Sequence, residues 1–219
     1  MKKRGFLLAA CTVGVMLSGC GSRETAFSPS ESCVYVAKDG ALSSALVEQT
    51  GGISVDENEL KQYLETAVIH FNEEKGAGAL AQNQKNAERL PAALKSVKAG
   101  KDTVTAIFDY ASFEDLKAFG ETNDNEDTSN SLTALEAKPL SEAIADGWFS
   151  EGELVKADGS EAGTDAVQNE KSGMAVRSEG SATLMLGGKV LYRSSNTELK
   201  DDSTVSLPET GTAYVIFKR

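Results

Sequence analysis

Residues 103–120 read TVTAIFDYASFEDLKAFG, and the hydrophobic period changes in the middle of them. Val104, Ala106, Phe108 and Tyr110 fall on every second position, the spacing that lines one face of a β-strand. Phe113, Leu116 and Phe119 then recur every third position, the spacing of a helix stripe. Ser112 stands between the two patterns as an N-cap, with Asp115 at the capping-box position and Gly120 as a stop. A strand that runs straight into an amphipathic helix must lay that helix on its own sheet.

The preceding residues follow the same grammar. CVYVAKDGALSSALVEQ predicts two strands turning at Lys38-Asp39-Gly40, because Asp-Gly between β-type runs supplies the positive φ of a tight hairpin. A helix is expected from Asp56 to Lys75: Asp56 and Glu59 have capping-box spacing, acids crowd the first turn, and Gly76 offers a stop. Its apolar stripe is Leu60, Leu64, Ala67, Val68 and Phe71. ALKSVKAGKDTVTAIFDYAS predicts a second hairpin turning at Ala99 to Asp102. The order β-β-α-β-β-α implies an α+β fold, with an antiparallel sheet built from hairpins, one long helix and one or two short ones.

Residues 121–130, ETNDNEDTSN, carry four acids and no apolar side chain, which marks a surface loop between residues 33–120 and a β-rich part at 131–219. In that second part Pro139 breaks the pattern, LSEAIADG allows a short helix ending at Gly147, and 157–173 reads as a long mobile connection. KVLYR, TVSL and AYVIF predict strands. The two parts are expected to form one continuous domain.

The N-terminus carries a separate message. Lys2, Lys3 and Arg4 precede the apolar GFLLAACTVGVML, which is too short to span a bilayer and describes a signal peptide over 1–19. It ends in LSGC, residues 17–20, which resembles the lipobox of bacterial lipoproteins. That resemblance implies that Cys20 receives a diacylglyceryl group and that the leader is cut before it. The chain would then sit on the extracytoplasmic face of the cell membrane, since two acyl chains hold stably where one is marginal. Residues 20–32 read as its small, polar tether. The patches VYVAKDGALSSALVE, DENELKQYLE, SFEDLKAFG and KVLYRSSNTELKDD resemble uncharacterised lipoproteins of Gram-positive gut bacteria, which carry no activity to transfer.

Charge and residue inventory limit the chemistry. The net charge is −11, and loss of the three leader bases leaves the mature chain more acidic, so nucleic acid is excluded as a partner. Cys11 leaves with the leader and Cys20 takes lipid, so Cys33 has no disulfide partner and packs as a small hydrophobe. His70 is the single histidine; it lies at the edge of the helix stripe, and no G-x-S-x-G motif accompanies it. Asp124, Asn125 and Asp127 could offer oxygens to calcium, but they lack the spacing, the glycine and the bidentate glutamate of an EF-hand. Trp148 and Phe149 could form an aromatic platform for a sugar or peptide, or could anchor a core. No cofactor motif is present.

The last thirteen residues, LPETGTAYVIFKR, begin with a pentapeptide that resembles the sortase cleavage signal. The apolar run after it is AYVIF, against about 20 residues needed to cross a bilayer, so the pentapeptide is expected to be a turn. Val205 and Leu207 would end one strand, Pro208 and Gly211 would shape the turn, and Ala213, Val215 and Phe217 would line the closing strand of a hairpin. Taken together, these features imply a lipid-anchored, non-enzymatic binding or interaction module with an envelope protein or polysaccharide as ligand. The same residues leave two alternatives: an envelope hydrolase using carboxylates or His70, and a purely structural envelope component.

Overall fold

The computed structural model describes residues 27–122, 131–149, 154–170 and 172–219. Its first half follows the local signals closely. Strands β1 (Cys33–Val36) and β2 (Leu42–Gln49) pair antiparallel with Cys33 opposite Ala45, and Gly40 holds φ +86° in their turn. Helix α1 (Glu57–Glu74) starts where the Asp56 carboxylate accepts the N–H groups of Asn58 and Glu59 at 2.8 and 3.1 Å. Strands β3 (Ala92–Ala99) and β4 (Thr103–Tyr110) form the second hairpin. Ser112 caps α2 (Phe113–Thr122), accepting the Asp115 N–H at 3.1 Å and donating to the Asp115 carboxylate at 2.8 Å. Gly120 does not stop this helix, which runs on to Thr122; a glycine ends a helix by turning left-handed, and Gly120 is not among the residues with positive φ.

The second half is richer in strands than its local signals. It contains β5 (Ala134–Pro139), α3 (Leu140–Ala145), β6 (Leu154–Lys156), α4 (Thr164–Asn169), β7 (Met174–Glu179), β8 (Thr183–Leu186), β9 (Val190–Ser194), β10 (Glu198–Asp201), β11 (Thr204–Ser206) and β12 (Thr212–Phe217). The stretch 157–173, expected as a bare connection, carries α4, whose Val167 is buried.

The described strands make two sheets, one ordered β10-β11-β8-β1-β2-β4-β3 and the other β5-β7-β12-β9-β6. One pairing departs from the antiparallel expectation: β1 and β8 are parallel, with Val34 opposite Leu184 and Val36 opposite Leu186. All four β1 residues are buried, so both strand edges need partners, and the hairpin with β2 supplies only one. The other edge is filled by a strand from the far half of the chain. The first sheet is thus shared by both halves.

Among the described residues three apolar clusters hold the layers together. The largest joins Val34, Val36 and Leu184 of the first sheet to Val176, Val215 and Phe217 of the second, and includes Val68, Phe71, Phe113, Leu116 and Phe119 of α1 and α2. Phe119 is its aromatic hub, with ring centres 5.2 Å from both Phe71 and Phe108. A second cluster packs α3 and α4 on the other face of the second sheet through Leu140, Trp148, Val167 and Ile216. On the outer face of the first sheet, Cys33, Ala45 and Ile107 form a third, against which Phe27 packs.

Phe27 belongs to a segment docked on that sheet. Its ring stacks on Tyr35 at 4.4 Å and 19°, Ser32 Oγ accepts the Val47 N–H at 3.0 Å, and Lys200 Nζ donates to the Glu31 carboxylate at 2.7 Å. The pentapeptide 207–211 also differs from expectation. Gly211 takes φ +84°, as a turn requires, but β11 and β12 lie in different sheets, so LPETG is a crossover between layers and not a hairpin loop.

Candidate functional site

Cys20, Asp124, Asn125 and Asp127 lie outside the described residues. Trp148 is 6% exposed, with Lys138 Nζ 4.5 Å and Arg177 Cζ 5.1 Å from the indole centre and Tyr214 and the half-buried Phe149 at its edges. The Lys138 ammonium is held above its ordinary pKa by hydrogen bonding to Asp146 and then Glu136, each at 2.7 Å. An indole enclosed by two cations and two aromatic rings is a packing anchor, with little open face for a ligand. Cys33 is buried, and burial pushes its thiol up from an ordinary 9.0 to about 12, with the Glu31 charge adding to the effect. A thiol so placed is a poor nucleophile.

His70 is exposed on α1, with Nδ1 3.5 Å from a Glu74 carboxylate oxygen one turn away. It borders an open groove of about 650 Å3 formed by Glu59, Gln62, Tyr63, Thr66, Ala67 and His70 of α1 together with Thr122 at the end of α2. The helix builds this surface by phase: Val68 and Phe71 turn inward, so Tyr63, Thr66 and His70 turn to solvent. Tyr63 is 70% exposed, one of few large apolar side chains so open among the described residues. Sequence reasoning passed over it. The available signal was its phase, an aromatic one position off the Leu60, Leu64, Val68 stripe.

The groove offers an aromatic face, an amide, a carboxylate, a hydroxyl and an imidazole. The partner of His70 is a solvent-exposed carboxylate on its own helix. Among the described residues no cluster of three or more His, Cys, Asp or Glu could hold a metal ion, and no helix is long and apolar enough to cross a membrane. Comparison of the chain with protein-family models, curated protein sequences and solved structures finds no match.

Proposed function

We propose that the protein is a lipid-anchored, extracytoplasmic binding module that presents the α1 groove to a polysaccharide of the cell envelope. The observation that carries this reading is the exposed Tyr63 ring flanked by Gln62, Glu59 and His70. An aromatic face takes the apolar C–H face of a sugar, while neighbouring amide, carboxylate and imidazole groups meet its hydroxyls. Shallow, solvent-open geometry suits an extended polymer better than an enclosed substrate.

The docked segment supports close presentation at the membrane. With lipid on Cys20 and docking from Phe27 onward, residues 21–26 are the span between bilayer and domain, at most roughly 20 Å when fully extended.

The test is co-sedimentation of the mature chain carrying Cys20→Ser with insoluble envelope polysaccharide. Tyr63→Ala should weaken binding at least about ten-fold, the scale of one buried aromatic contact, without changing the melting temperature. Equal binding by Tyr63→Ala would remove the groove from the reading. Loss of palmitate labelling in Cys20→Ala tests the anchor separately.

A further inference from the structure

The helix-facing side of β2 contains an anomaly. Leu42, Ser44 and Leu46 share that face, and Ser44 is flanked by Val34 of β1 and Phe108 of β4, both in the main core. Alternation would place an apolar residue at position 44. Instead Ser44 Oγ lies 2.9 Å from the hydroxyl of Tyr110, a ring that is itself buried.

Two hydroxyls carry two O–H donors, and the bond between them uses one. Among the described residues neither oxygen has another partner, so the pair retains one O–H and free lone pairs. Burial pushes the Tyr110 phenol pKa upward, so it remains a donor at any physiological pH.

The pair opens onto a cavity of about 310 Å3 beneath α2, distinct from the α1 groove. Leu46, Phe108, Leu116, Phe119 and Leu132 supply apolar walls. Lys117 and Glu121, of opposite sign and one turn apart on α2, are exposed at its rim. Such a volume stands at the lower end of small-molecule sites, about 300–1,000 Å3, and is too small for a polymer.

We propose that this cavity binds a small uncharged amphipathic molecule, its aliphatic body among the leucines and phenylalanines and its one hydroxyl or carbonyl on the Ser44–Tyr110 pair. The apolar walls select the body and the unsatisfied hydroxyl pair selects the polar end. Among the described residues no cation lies inside to favour a carboxylate, and the paired signs at the rim cancel.

The full mature chain carrying Cys20→Ser, which needs no detergent, is titrated with hexan-1-ol, hexane and hexanoate, following the aromatic NMR signals of Phe108 and Phe119. Hexan-1-ol should bind saturably and about five-fold more tightly than hexane, the worth of one net hydrogen bond, and hexanoate should bind weakest. The double variant Ser44→Ala/Tyr110→Phe, which removes both hydroxyls, should bring hexan-1-ol down to the level of hexane. Leu46→Trp, at a half-buried wall position, should fill the cavity and abolish both. The proposal is overturned by absence of saturable hexan-1-ol binding, by unchanged affinity in a folded Leu46→Trp, or by tightest binding of hexanoate. Retained alcohol preference in Ser44→Ala/Tyr110→Phe would overturn the role of the hydroxyl pair, and Leu46→Trp keeps the test decisive should the double variant not fold.

Discussion

Asn72 and Ala92 exchange two hydrogen bonds in the interior: Asn72 Nδ2 donates to the Ala92 carbonyl at 2.8 Å, and the Ala92 N–H donates to Asn72 Oδ1 at 3.0 Å. The same Nδ2 also donates to the Leu80 carbonyl at 2.8 Å. Asn72 is 0% exposed, one turn beyond Val68 on the inner side of α1. Its amide imitates a neighbouring strand, fastening the helix to the start of β3 and to the segment between them.

Asn72→Ala should therefore cost about 3 kcal/mol, because it orphans a buried N–H and two carbonyls; for a domain of this size that is roughly 6–12 °C in melting temperature. Asn72→Asp keeps the bond from Ala92 N–H but aims an acceptor at two carbonyls, so it should be most damaging above the ordinary carboxylate pKa. Urea unfolding at pH 4 and pH 7 checks both. A loss under about 1 kcal/mol in the alanine variant would show the amide to be dispensable.

Cys33 gives a pH prediction with a fixed sign. Its thiol is raised from 9.0 to about 12 by burial, so above pH 9 the unfolded chain loses this proton while the folded chain keeps it. Stability is complete below pH 9 and falls as pH rises towards 12, by up to about 1.4 kcal/mol per pH unit crossed. Tyr110 shifts in the same direction from 10.0, so the first unit, pH 9 to 10, belongs mainly to Cys33. Cys33→Ala should flatten the fall over that interval, read from urea midpoints at half-unit steps. An unchanged slope would mean that the thiol is not desolvated.

The period change at residues 103–120 and the Asp-Gly turn made the first half legible, because hairpins and capped helices are written in neighbouring residues. The partner of β1 was not: β8 is the four residues Thr183–Leu186, too short to display a period, and its pairing with Val34–Val36 is decided only when the chain closes. Trp148 and Phe149 were visible as an aromatic pair, but Lys138 and Arg177 arrive from separate strands to enclose the indole. Tyr63 and Ser44 were legible in principle as residues out of phase with their own stripe and strand face. Such exceptions to periodicity are where binding groups concentrate, since a packed core does not need them.

Two glycines should respond oppositely to alanine. At Gly120, inside α2, a Cβ would meet nothing within 4 Å, so Gly120→Ala should stabilise by about 0.5–1 kcal/mol through helix propensity. At Gly188 a Cβ would lie 1.9 Å from the Lys218 carbonyl oxygen, a backbone atom that cannot swing aside. Gly188→Ala should push the C-terminal end of β12 away from the β8–β9 turn and cost several kcal/mol. Thermal melts of the two variants give the comparison; a neutral Gly188→Ala would mean that the close approach yields without cost.

The pentapeptide LPETG should be inert to sortase because it is a bent link between two sheets, anchored at Leu207. Val205 pairs with Leu184 in the first sheet and Ala213 with Ser178 in the second, so residues 207–211 must bridge the layers. Leu207 is buried in the main cluster, and its N–H donates to the Ala182 carbonyl at 2.9 Å. An enzyme taking up the pentapeptide in extended form would have to pull that leucine out and break the bond, at a cost of about 2–3 kcal/mol for the side chain alone. Gly211 adds a positive φ that an L-residue adopts at about 1–2 kcal/mol. Two substitutions separate the structural from the sorting role. Thr210 is exposed, so Thr210→Ala should leave surface retention, mature mass and melting temperature unchanged, whereas Leu207→Ala should lower stability by about 2–5 kcal/mol. A wall-linked fraction that disappears in Thr210→Ala, with stability intact, would establish a sorting signal and overturn the crossover as its sole role.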